Sequence, residues 1–152
     1  MDAQVINAYL RGLISVLSPL GMDIQRQDLQ LEKSPYTDET ALIISQLSGA
    51  AHGDIIIGMP EDTVTKLLES FNVPTEMIDE SMKQSVLTEF GDMVKGHAIT
   101  GYQSLGLPVD FTKVALFDSV YPEPAAAPGV QSLCVTVLAN EQYPLRIHFA
   151  LQ

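Results

Sequence analysis

The sequence predicts an α+β fold: an antiparallel or mixed six-stranded sheet with a long helix packed across it, in the order α-βββ-αα-βββ. Three observations carry that expectation. The stretch from Thr75 to Ser104 repeats apolar residues at three-and-four spacing, the period of a helix lying on a core. Two β-like runs, Thr40 to Leu47 and His52 to Met59, are joined by the short glycine-containing Ser48-Gly49-Ala50-Ala51, which predicts an antiparallel hairpin. The chain after Pro108 reads as three further β runs. A length of 152 residues, 46% of them hydrophobic, suits one domain spanning residues 1–152.

Element by element, Val5, Ile6, Tyr9, Leu10, Leu13, Ile14, Val16, Leu17 and Leu20 recur at helical spacing, and Pro19 and Gly21 end that first helix. Residues 22 to 32 read as a strand with imperfect alternation, followed by a turn over Ser34 to Glu39. After the hairpin, Pro60-Glu61-Asp62 opens a helix running to about Phe71. Proline fits its first turn, and the two acids favour the positive end of the helix dipole. Asn72 and Pro74 stop it. Thr75 is the expected N-cap of the long helix, which Gly106 and Pro108 terminate. The closing strands are Val109 to Asp118, Gln131 to Ala139 and Pro144 to Leu151. Tyr121 to Gly129, with three prolines and a glycine, is a surface loop.

Charge and composition exclude several functions. The net charge is −11, and the eight Lys and Arg residues are scattered, which argues against nucleic acid. Residues 54 to 92 alone hold −7, nine acids against Lys66 and Lys83, a concentration that is either a solvated helical face or a surface steering a basic partner. No apolar run is long enough to cross a membrane, and Met1-Asp2-Ala3-Gln4 lacks the start of a secretion signal; a cytoplasmic protein is expected. Cys134, the single cysteine, lies in the β-like Leu133-Cys134-Val135 and reads as a buried apolar residue.

The chemistry concentrates on the long helix. At about 100° per residue, Ser85, Glu89, Asp92 and Gly96 fall on one narrow strip bordering the apolar stripe of Ile78, Met82, Val86, Phe90, Met93, Val94 and His97. Carboxylates at i and i+3 repel by about 0.2–0.5 kcal/mol. An interior glycine costs about 1 kcal/mol relative to alanine. Either the strip leaves room for something to dock beside the acids, or Gly96 lets the helix approach the sheet while Lys95 screens Asp92.

Leu87-Thr88-Glu89-Phe90-Gly91-Asp92-Met93-Val94-Lys95-Gly96-His97-Ala98 resembles the signature helix of the CheC/CheX/FliY chemotaxis phosphatases. That family carries Glu-x-x-Asn, two apolar residues, a variable one and then Gly. Leu47 to Asp62 is similar to the family's glycine-containing hairpin leading into its middle helix, and Val5 to Leu10 to its first helix. The resemblance covers residues 1 to about 110, with the last three strands matching by order and length. A single copy of the motif fits CheX rather than the two-motif CheC pattern.

The resemblance implies hydrolysis of the aspartyl phosphate of a CheY-type response regulator, a homodimer, and a setting in chemotaxis. Glu89 would pair with a lysine of the receiver domain, and position 92 would place the attacking water. Ser85, Glu89, Asp92 and Gly96 would form the receiver-binding strip. The receiver would supply Mg²⁺, so no cofactor of the chain's own is expected. The division of labour is positioning plus electrostatics, as phosphoryl transfer requires. Asp92 departs from the pattern. Asparagine both donates and accepts, whereas ionised aspartate only accepts. Its charge would also face an anionic phosphoryl group, a repulsion of about 1–4 kcal/mol at ~4 Å. Two functions therefore compete: a phosphatase working through Glu89 and Asp92, and a non-catalytic receiver-binding or scaffold domain on the same fold.

The histidines offer no rival. His97 is expected to be packed on the apolar side of the helix, and His148 lies in a terminal strand. His52 with Asp54 would need a distant third ligand, so no metal site is expected. No phosphate-binding glycine loop, dinucleotide fingerprint or Gly-x-Ser-x-Gly turn is present.

Overall fold

The computed structural model describes residues 3–32, 41–118 and 132–151. Helix α1 spans Ala3–Leu17 and ends in a 3₁₀ turn, Ser18–Leu20. Strands β1 (Ile24–Glu32), β2 (Ala41–Gly49) and β3 (Gly53–Met59) precede α2 (Glu61–Ser70) and α3 (Glu80–Ser104). Strands β4 (Val109–Asp118), β5 (Ser132–Ala139) and β6 (Tyr143–Leu151) complete the order. The architecture is the expected α+β one, α-βββ-αα-βββ, and every strand pair is antiparallel. The strands lie in the order β1-β5-β6-β3-β2-β4. The expected turn over Ser34 to Glu39 and the loop Tyr121 to Gly129 lie outside the described residues, as does Gln131.

Alternation explains the sheet. Ile43, Ile57, Ile147 and Val135 are register partners in sequence across β2, β3, β6 and β5, and all four are buried in the main core. The hairpin between β2 and β3 turns at Gly49, whose φ of +95° is left-handed. A Cβ there would also collide with the Pro108 carbonyl oxygen. The imperfect alternation of residues 22 to 32 has a cause: the register of β1 shifts between Arg26 and Asp28, a bulge that resets which face each residue takes.

The helices cover one face of the sheet. α1 buries Val5, Tyr9, Leu13, Val16 and Leu17, and α2 buries Val64, Leu67 and Leu68 in the same core. α1 and α3 approach closely at Gly12, where an added Cβ would lie 3.1 Å from the Ala98 nitrogen. Tyr102 on α3 donates its hydroxyl to the Val5 carbonyl at 3.2 Å and stacks on Phe111 of β4. Burial raises the Tyr102 and Tyr9 hydroxyls well above the usual tyrosine range.

Two helix boundaries differ from expectation. The first helix yields to 3₁₀ geometry at Ser18, just ahead of Pro19. The long helix starts at Glu80 rather than Thr75. Thr75–Met77 forms a separate 3₁₀ turn, Ile78 is extended, and Asp79 is the N-cap, its carboxylate accepting the Met82 N–H at 2.8 Å. An aspartate four residues on outcompetes the threonine because Pro74 commits the intervening chain to a tight turn first.

Candidate functional site

α3 divides into two faces. Its buried residues advance mainly by fours, Val86, Phe90, Val94, Ala98 and Tyr102, none more than 7% exposed. Steps of four at about 100° per residue wind this stripe around the helix by about 40° each. That winding corrects one expectation: His97 is exposed, not packed. By position 97 the buried face has moved on towards Ala98 and Tyr102, which leaves the histidine about a quarter-turn outside it.

The other face carries the strip read from the sequence. Ser85, Glu89, Asp92 and Gly96 are all exposed and lie together on the outer side of the helix. Among the described residues neither Glu89 nor Asp92 has an ion-pair or hydrogen-bond partner, whereas Glu61 pairs with Lys83 at 3.4 Å and Glu69 with Lys66 at 3.8 Å. Lys95 makes no direct ion pair with Asp92. Gly96 also declines its structural alternative: a Cβ on it would meet nothing within 4 Å, so it does not mediate approach to the sheet. The strip continues to Gln103, also exposed, two turns beyond Gly96. The sequence carried that signal in the seven-residue spacing.

The acidic segment is not all one surface. Asp54 is 3% exposed, on the central strand β3 and on the sheet face away from the helices, and desolvation pushes its carboxyl up to about 6. Its register partners are Ala150 of β6 and Gln46 of β2. His148 and Cys134, both buried, lie on the same sheet face two positions along, where His148 stands between Ile56 and Cys134. His52, by contrast, is exposed. Among the described residues no group of three or more His, Cys, Asp and Glu side chains is placed to hold a metal. No described helix is long and apolar enough to cross a membrane. Cys134 is buried, as expected.

No protein-family model and no curated protein matches the sequence. Solved structures do. The CheX chemotaxis protein of Desulfovibrio desulfuricans superposes with a TM-score of 0.81 over 97% of this chain and 99% of its own, at 11% identity. The chain has the CheX fold. CheX of Vibrio vulnificus matches at a TM-score of 0.77 and 14% identity, over 99% of this chain and 100% of its own. The Borrelia burgdorferi CheX–CheY–BeF₃–Mg²⁺ complex matches at 0.75 and 21% identity, over 97% of each chain. At such identities the likeness establishes the fold. Within the CheX fold, α3 is the helix on which the candidate strip lies.

Proposed function

We propose that the chain is a CheX-like protein of the CheC/CheX/FliY family and hydrolyses the aspartyl phosphate of a CheY-type receiver domain. The observation that carries this reading is the outer strip of α3: Glu89, Asp92 and Gly96 stand exposed in the family's motif spacing, with both carboxylates unpartnered among the described residues. Glu89 docks on a receiver lysine. Asp92 accepts a hydrogen bond from the attacking water and so aims it at phosphorus. Gly96 leaves room for the receiver backbone beside them. The receiver brings its own Mg²⁺ and phosphoryl group. The Borrelia complex, in which a CheX holds CheY with BeF₃ and Mg²⁺, supports a receiver as the partner class.

One residue favours a second reading. Asp92 can accept but not donate while ionised, and its charge opposes the phosphoryl group it would serve. A receiver-binding domain with its chemistry switched off has the same surface and a slower reaction. The experiment follows phosphate loss from a phosphorylated CheY-type receiver with Mg²⁺, with wild-type protein and with Glu89→Ala and Asp92→Asn. Acceleration that Glu89→Ala abolishes establishes the phosphatase. No acceleration by wild type but a gain in Asp92→Asn selects the non-catalytic reading. No binding by any variant rejects both for that receiver.

The same reading places the protein in the cytoplasm with its receiver, as a homodimer. β1 supports the dimer: it is an edge strand of the sheet, and Leu29 and Leu31 on it are 54% and 70% exposed. Sedimentation should give a dimer for wild type and a monomer for Leu29→Glu/Leu31→Glu. A wild-type monomer at micromolar concentration removes this part of the reading.

A further inference from the structure

A second candidate site lies on the flank of α1 turned away from α3. A groove of about 260 Å³ opens there between α1 and the start of β1. One wall is the strip Asn7, Arg11 and Ile14, spaced by four and three along α1. The other is Ile24 and Arg26 of β1, with Val137 of β5 at the base, opposite Arg26 in register. The groove lies where the outer flank of α1 meets the first residues of the edge strand β1 above Val137.

Its chemistry is unlike that of the surrounding surface. The walls are mostly aliphatic, and Ile14 is 41% exposed, more than a residue packed for stability alone would be. Two of the three arginines in a chain of net charge −11 line this one opening. Both are exposed, and among the described residues neither has a carboxylate partner. Asp28, the nearest acid along β1, turns its carboxylate to its own strand, accepting the Leu29 N–H at 2.8 Å. An aliphatic concavity lined by two arginines matches an anion that has an apolar body. Guanidinium recognises carboxylate through parallel N–H donors and is more weakly hydrated than an ammonium, so it suits a site with an apolar floor.

We propose that the groove between α1 and β1 binds a small aliphatic carboxylate, its chain on Ile14, Ile24 and Val137 and its carboxylate between Arg11 and Arg26. The ordinary alternative is that the two arginines lay their stems along apolar surface and keep their heads in water, serving solubility only. This site is remote from the outer strip of α3, but Leu29 and Leu31, assigned above to the dimer, share the helix-side face of β1 with Arg26. Binding is therefore also measured on the Leu29→Glu/Leu31→Glu protein, so that either proposal can fail alone.

Titration calorimetry and amide chemical shifts of the intact protein with octanoate, and with octanamide as its neutral counterpart, separate the two accounts. Octanoate should bind with shifts confined to α1, β1 and β5, about tenfold more tightly than octanamide, since one charge-assisted hydrogen bond corresponds to about that factor. Arg11→Ala and Arg26→Ala should each weaken octanoate about tenfold and leave octanamide unchanged. Both side chains are exposed, so melting temperatures should hold; Ile14→Trp, which fills the mouth, provides a second block. Equal binding of the acid and the amide, octanoate affinity indifferent to both arginines, or no binding of octanoate at all, overturns the proposal.

Discussion

The inner and outer faces of α3 share one backbone and obey opposite rules. On the inner face every residue from Val86 to Tyr102 that the stripe touches is excluded from water, held against α1 and the sheet. On the outer face the strip holds two carboxylates one turn apart and a glycine, choices that each weaken a helix by tenths to about one kcal/mol. The inner face supplies far more than the outer face gives up, because burying one large apolar side chain is worth about 1.5–3 kcal/mol. A helix anchored this firmly on one side can carry residues chosen for something other than helix stability on the other. Stability and the receiver binding proposed for the outer strip should therefore be separable by face.

The largest effect should come from the inner face. Phe90 is fully buried, and Phe90→Ala should lower unfolding free energy by about 3–5 kcal/mol, measured as a fall in the urea midpoint with an unchanged slope. A loss below about 1 kcal/mol would break the contrast at its root. A buried carboxylate sharpens it next. Asp54 has its folded pKa raised to about 6 from 3.8, so between those values the folded state holds a proton that the unfolded state has released. Its contribution is therefore most favourable at low pH and is lost as pH rises from about 4 through 6. Asp54→Asn removes this dependence. Relative to wild type, the variant should gain on the order of 2–3 kcal/mol between about pH 4 and pH 7. Urea unfolding of both proteins at the two pH values measures that gain, and a pH-independent difference would show that Asp54 is not desolvated as described.

The same contrast governs what can be read in the sequence. The strip of Ser85, Glu89, Asp92 and Gly96 follows from angular arithmetic along one helix, and the hairpin from Gly49 between two alternating runs, because both are local. His97 falls on the wrong side of a straight apolar stripe, whereas the burial pattern winds with steps of four as α3 crosses its neighbours. That crossing depends on α1, whose Gly12 lets it approach Ala98. Asp54 reads as surface charge until the strand order puts β3 between β6 and β2. The α1–β1 groove is invisible for the same reason: Arg11 and Arg26 come to line one opening only because β1 pairs with β5, far along the chain. Periodicity reports which face of an element is apolar. It does not report which element covers that face, and His97, Asp54 and the groove all turn on that second question.

The smallest effect tests the separation most directly, because a single methyl group should move stability and binding in opposite directions. Gly96 is exposed in the helix interior, and a Cβ added there meets nothing within 4 Å. Gly96→Ala should therefore raise stability by about 0.5–1 kcal/mol, since alanine loses less backbone freedom on folding. If the outer strip docks a receiver at close range, the same methyl occupies space that the partner needs, and receiver affinity should fall. Thermal unfolding and binding to a phosphorylated receiver, measured on one preparation, read both quantities. A more stable protein that binds more weakly places the glycine in the interface. A more stable protein with undiminished binding leaves Gly96 outside it and confines docking to the carboxylates of Glu89 and Asp92. A less stable protein would contradict the open space above Gly96 and, with it, the reason for assigning that residue to the outer face's function.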